Sequence, residues 1–184
     1  KGKKQEIAYK KFIKSNKLEE HLKSRNVPEG VDHASWLNAK DMKESLDKEY
    51  FKAAKILSRM MTRFPSHDLA VKCGMTAGDC YRKTGKNDLA IRTYKVLSKN
   101  TAYDSESRAQ AMYWLGKIYF AEASGQMRGR GATDSAKAMK AYSTLMQITI
   151  DFPETTAAKW ARAELSKDEM IELDKKVETE RIMQ

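Results

Sequence analysis

The sequence predicts an all-α protein, and three observations carry the prediction. Its 184 residues include only 3 prolines and 9 glycines, while Ala, Lys, Leu, Glu and Met, all good helix formers, are plentiful. β-branched residues never alternate over a strand-length run. Apolar residues recur instead at spacings of three and four, which puts them on one face of a helix.

Residues 1–33 read as a basic helix over 3–25, with Ile7, Phe12, Ile13 and Leu18 for apolar contacts, and then the linker NVPEGVDH. Residues 34–166 are expected to hold about three helical hairpins. The first starts near Ala34, with Trp36 and Leu37 in a degenerate first helix and Ala53 and Leu57 in its second. The next is the clearest, in FPSHDLAVKCGMTAGDCYRKTGKNDLAIRTYKVL from Phe64 to Leu97. It reads as helix, tight turn at TGKND, helix. The small residues Gly78 and Ala90 suit a close helix approach, and Tyr81 and Tyr94 suit the large side chains wedged beside them.

The same register returns later. Leu115-Gly116-Lys117-Ile118-Tyr119 overlays Ala77-Gly78-Asp79-Cys80-Tyr81, and Ala138 and Tyr142 overlay Ala90 and Tyr94. Nine positions separate Tyr81 from Ala90, but nineteen separate Tyr119 from Ala138. The excess falls where the first copy turns, so 121–134 is expected to be an enlarged loop, glycine-rich and carrying Arg128 and Arg130. Phe64-Pro65 and Phe152-Pro153 each precede an Ala-rich helix start, where Ser66 or Thr155 serves as a cap. Asp104 and Ser105 hold the corresponding place in the middle copy. Residues 167–184, with Met170, Ile171, Leu173 and Val177, read as a C-terminal capping helix.

The net charge of +10 is placed unevenly. Residues 1–27 carry nine Lys/Arg against three Glu, whereas the last nineteen residues carry four bases against six acids. Lys10, Lys11, Lys14 and Lys17 concentrate the basicity on the first helix, either as a solvated face or as a contact for nucleic acid, anionic lipid or an acidic protein. No apolar run approaches the ~20 residues that a membrane-spanning helix needs. The amino terminus has neither a signal-peptide apolar core nor an initiator Met, and a processed or trimmed chain is the expectation. Cys73 and Cys80 lie about 10 Å apart by helical rise, too far for a disulfide; both read as small buried side chains.

No catalytic constellation is visible. His21, His33 and His67 are scattered, GQMRGRGATD lacks the Gly-Lys-Ser/Thr ending of a phosphate loop, and no carboxylate pair is poised by spacing. The expectation is a protein that is not an enzyme and needs no cofactor or metal.

The repeat resembles the tetratricopeptide (TPR) family over roughly residues 34–166. That family's pattern is Trp-x2-Leu-Gly-x2-Tyr, Ala-x3-Phe, then Pro. Met112-x2-Leu115-Gly116-x2-Tyr119 and Ala90-x3-Tyr94 carry the pattern here, and Pro65 and Pro153 close units. Gly74 replaces the usual Trp, Ala102 or Tyr103 replaces a Pro, and Ser166 replaces the Gly of a last unit. The Phe-Pro junctions are most similar to those of bacterial cell-envelope TPR proteins such as outer-membrane assembly lipoproteins, which implies a periplasmic or envelope location.

The resemblance implies a right-handed superhelical stack of hairpins with extra helices at its ends, and a concave groove that binds a protein or peptide. First-helix positions that line such a groove correspond to Lys72, Met75, Asp79 and Arg82, to Gln110, Tyr113, Lys117 and Phe120, and to Trp160, Ala163, Lys167 and Met170. That set implies a partner with apolar anchors and some acidic character. The same aromatics also suit burial under a neighbouring hairpin or terminal helix. Asp79 stands where a carboxylate-clamp TPR has Asn, so capture of a terminal carboxylate is not expected. The alternative function is nucleic-acid or anionic-surface binding through the basic helix and the Arg-Gly loop.

Overall fold

The computed structural model describes residues 2–15, 18, 27, 29–124, 135–167, 170 and 175. Among them the chain is all-helical, with α1 Gly2–Ser15, α2 His33–Arg63, α3 Ala70–Lys83, α4 Asn87–Lys99, α5 Ser105–Ala123, α6 Ser135–Asp151 and α7 Thr156–Leu165. Each of these helices packs on the next in the chain, and α5 also packs on α7.

The expected first hairpin near Ala34 is not formed: one helix of 31 residues runs from His33 to Arg63. No glycine or proline interrupts this stretch, so nothing breaks the helix until Phe64-Pro65. Asp32 caps its start by accepting from the Ser35 N–H at 2.7 Å. Its buried residues, Trp36, Ala39, Leu46, Ala54 and Met61, form one stripe along the whole length. The stripe serves two cores. Trp36 and Ala39 cluster with Leu18, Phe12 and Ile13, and Ala54 and Met61 cluster with side chains of α3, α4 and α5.

The expected helix over 3–25 is interrupted by Leu18, and residues 16, 17 and 19–26 lie outside the described residues. α1 ends at Ser15, and Leu18 is non-helical, its N–H donating to the Ile13 carbonyl at 2.9 Å. The Glu6 carboxylate ties α1 to the rest, accepting from the Tyr50 hydroxyl and pairing with Lys10 at 3.0 Å and Lys83 at 3.2 Å. The Tyr50 hydrogen bond and then Lys10 outweigh burial and, with Lys83, hold its pKa at about 2.

α3 and α4 are joined by a tight turn. Gly85 adopts φ +69°, the Lys86 N–H reaches the Tyr81 carbonyl at 2.9 Å, and the Gly85 N–H reaches that of Arg82 at 3.0 Å. This is a Schellman stop, which a left-handed glycine permits. The two helices then run antiparallel at close range. A Cβ at Gly78 would lie 2.5 Å from the Tyr94 ring, and one at Gly74 would lie 2.8 Å from Leu97. In the α5–α6 pair a Cβ at Gly116 would lie 2.8 Å from Leu145. The register of the first pair puts Tyr142 at that place, but the side chain against the glycine comes from one turn further on.

α5 holds two clusters together. Ala111, Leu115 and Ile118 pack with α2, α3 and α4, whereas Ala109, Phe120 and Ala123 pack with α6 and α7. A helix apolar on more than one face must be covered on each of them. Asp104 caps α5 by accepting from the Ser107 N–H, and Thr155 caps α7 by accepting from the Ala158 N–H. Ser66 caps nothing here: α3 starts after Leu69 without a side-chain cap. Cys73 and Cys80 are buried free thiols. The expected loop at 121–134 falls outside the described residues from 125 onward, and the expected C-terminal helix of 167–184 does so except for Lys167, Met170 and Lys175.

Two outcomes follow. Gly78→Ala drives a methyl into the wholly buried Tyr94 ring, so urea denaturation should show a loss of about 1–3 kcal/mol. Glu6 titrates near 4.5 when unfolded and about 2 when folded, so its stabilisation stands in full above ~4.5 and is lost as pH falls toward ~2. The gap in denaturation midpoint between wild type and Glu6→Gln should therefore close over that window.

Candidate partner-binding surface

The residues proposed to line a groove lie on α3, α5 and α7. Lys72, Met75, Asp79 and Arg82 are on α3, Gln110, Tyr113, Lys117 and Phe120 on α5, Trp160 and Ala163 on α7, and Lys167 just beyond it. Several of them converge. The Arg82 guanidinium lies 3.9 Å from the centre of the Trp114 ring. Trp114 meets Tyr113 edge-on at 5.4 Å, and Tyr113 meets Trp160 at 5.5 Å. A continuous run Arg82–Trp114–Tyr113–Trp160 thus crosses from α3 over α5 to α7. Its far end is open, with Trp160 41% exposed.

The charges beside this run are paired. Arg82 bonds to the Asp79 carboxylate at 3.2 Å, and Asp79 also accepts from the Tyr94 hydroxyl at 2.9 Å. Burial and the neighbouring Asp79 carboxylate push the Tyr94 phenol well above its ordinary pKa. Asp79 is therefore engaged in orienting Arg82 and anchoring α4. Across α5 and α7, Glu164 is buried and bonds to both Lys117 and Lys167. Burial alone would push its carboxyl up, but the two ammonium groups prevail and hold it below the usual carboxylate range.

Two of the proposed lining residues are not on the surface. Phe120 and Met170 are buried in the α5–α7 cluster. The Met170 N–H donates to the Lys167 carbonyl at 3.0 Å, and the methionine lies in that core. Met75 is half-buried against α3's own cluster, and Gln110 is tied to Glu106 at 2.8 Å. Lys72 is exposed. Arg128, Arg130 and Lys17 lie outside the described residues, and Lys10, Lys11 and Lys14 are exposed on α1, Lys10 within reach of Glu6.

Trp114 and Glu164 were not anticipated. Trp114 follows Tyr113 directly, and a residue one step along a helix points about 100° away; only the position of α3 brings Arg82 onto it. Glu164 does carry a sequence signal, since it lies four residues after Trp160 and three before Lys167 on one helix face. Its bond to Lys117 spans 47 positions, and no local spacing foretells it. Among the described residues no group of three His, Cys, Asp or Glu side chains is placed to hold a metal ion, and no helix is long and apolar enough to cross a membrane.

Lys117→Met leaves Glu164 buried with only the more exposed Lys167, and should cost about 1–3 kcal/mol in urea denaturation. The double replacement Lys117→Met with Glu164→Met should recover most of that loss, because an apolar pair in place of a buried ion pair is close to neutral.

No protein-family model, curated protein or solved structure matches this chain. The candidate surface is defined by its own side chains.

Proposed function

We propose that this chain is a right-handed stack of TPR-like helical hairpins that acts without catalysis, as a scaffold for a protein partner. The packing of each helix on the next, and of α5 on both α6 and α7, supports that architecture. α3–α4 and α5–α6 would be two of its units and α7 the first helix of a third. In this reading α2 is a long helix that leads into the stack, in place of a complete first hairpin.

The observation that carries the function is the Arg82–Trp114–Tyr113–Trp160 run over three helices. Aromatic rings held against one another present a large preorganised area, and Trp, Tyr and Arg are the residues that most often dominate binding energy. Because Arg82, Lys117 and Lys167 already bond to Asp79 or Glu164, their pull on an acidic partner is weaker than their number implies. The partner reads as a helical or extended segment with apolar anchors for Trp160 and Tyr113. Nucleic-acid binding through α1 ranks second, since the aromatic run belongs to other helices and Phe12, beside Lys11, is packed against Leu18 and Trp36 where a base would have to stack.

Affinity capture from the native host, compared between the wild-type chain and Trp160→Ala, tests the reading. Trp160 is partly exposed, so the variant keeps its fold. A partner bound at this surface should be lost from the capture, its affinity falling by roughly tenfold or more; unchanged capture of every partner would refute the assignment.

A further inference from the structure

A second feature lies away from that run, at the junction of α2 and α3. Met60, Phe64, His67, Leu69, Ala70 and Cys73 line a cavity of about 280 Å³. Met60, Phe64 and Leu69 are large apolar residues left substantially open to solvent, and Ile56, one turn before Met60, is 59% exposed. Ile56 and Met60, four apart, lie on one face of α2, and Phe64 follows as its C-cap. The opening is held by the chain's own bonds: the Phe64 N–H donates to the Met60 carbonyl at 3.0 Å, and the Leu69 N–H to His67 Nδ1 at 3.1 Å. With Nδ1 accepting, the neutral ring carries its proton on Nε2.

The flanks of this cavity are basic. From Tyr50 to Phe64 the sequence holds Lys52, Lys55, Arg59 and Arg63 and no acid. Lys52 reaches Glu49 at 3.8 Å and Lys55 sits over the Phe51 ring. Arg63 lies 5.8 Å from the Phe64 ring centre, at the rim itself. Arg59 and Lys72, both exposed, adjoin Met60 and Cys73 in sequence, and Asp68 is the one carboxylate of the connecting segment.

We propose that the α2–α3 junction is a socket that takes one bulky apolar side chain from an acidic segment of a partner protein. The volume suits a single Phe, Trp or Leu side chain, and burial of such an anchor against Met60, Phe64 and Leu69 supplies the affinity. Arg59, Arg63 and Lys72 select carboxylates beside the anchor and speed encounter. The concavity favours an inserted side chain over a lipid surface, which needs apolar groups that project. Two copies of this chain meeting through the same patch would oppose their basic flanks. The socket is separate from the Trp160 surface and stands whether or not that surface binds.

A display library of random dodecapeptides, panned against the whole chain, tests the socket. The enriched peptides should share one large apolar residue flanked by Asp or Glu. They should bind Met60→Glu and Phe64→Ser about tenfold or more weakly and Trp160→Ala unchanged, and Arg63→Glu should also weaken them. Both socket positions are exposed, so circular dichroism should show each variant folded. The proposal falls if no peptide is enriched, if enriched peptides are neutral or basic, or if they keep their affinity for Met60→Glu. Peptides lost only on Trp160→Ala would assign binding to the aromatic run and overturn the socket. Self-association of the chain, or capture on phosphatidylglycerol vesicles, that is abolished by Met60→Glu would assign the patch to another occupant and overturn it equally.

Discussion

The spacing of the helices rests on large side chains lying where a Cβ would otherwise be. The Tyr94 ring fills the space beside Gly78, Leu97 and Met61 fill it beside Gly74, and Leu145 fills it beside Gly116. Glycine in a helix interior costs about 1 kcal/mol relative to alanine, so these positions are locally unfavourable and are offset by the contact they permit. Close approach brings α3 onto α4 and α5 onto α6. α5 then shares its apolar residues between two clusters.

The electrostatics beside the aromatic run follow the same logic of mutual constraint. Arg82 sits over the Trp114 ring while Asp79 bonds to its guanidinium, and Asp79 is itself held by the hydroxyl of Tyr94. A residue of the core thereby sets the orientation of a residue at the surface. Glu164 does the equivalent for α7, bonding a lysine on each side. Charges locked in this way give shape to the surface and leave its net field small.

Much of the fold was legible because local chemistry decides it. Asp104 and Thr155 cap helices where their type and place before an Ala-rich run require, Gly85 stops α3, and the spacing of Gly78 and Tyr94 marks a close approach. The error over residues 34–63 came from extending the repeat backwards into a stretch that contains no helix breaker. The burial of Phe120 and Met170 is not legible, because a count of positions along one unit says nothing of which other helices pack over them. The Lys117–Glu164 pair and the stacking of Arg82 on Trp114 depend on neighbours far away in sequence. The α2–α3 cavity is hidden for a similar reason: in the sequence Phe64-Pro65 marks only a junction, and the path of the connection is what leaves Phe64 open.

The continuous α2 has a mechanical consequence. Its first turns belong to the cluster with α1 and its last turns to the cluster with α3 and α4. Between Leu46 and Ala54 no residue of the helix is fully buried; Tyr50 and Phe51 pack partly on the second cluster, Phe51 edge-on to Tyr81 at 6.1 Å, and Lys48 pairs with Glu44 at the surface. α1 and the front of α2 thus share a small cluster of their own, joined to the remainder through the continuous helix and the contacts of Tyr50. The Glu6–Tyr50–Lys83 contact joins the first helix to the second and third, so it couples the small amino-terminal cluster around Trp36 to the larger core.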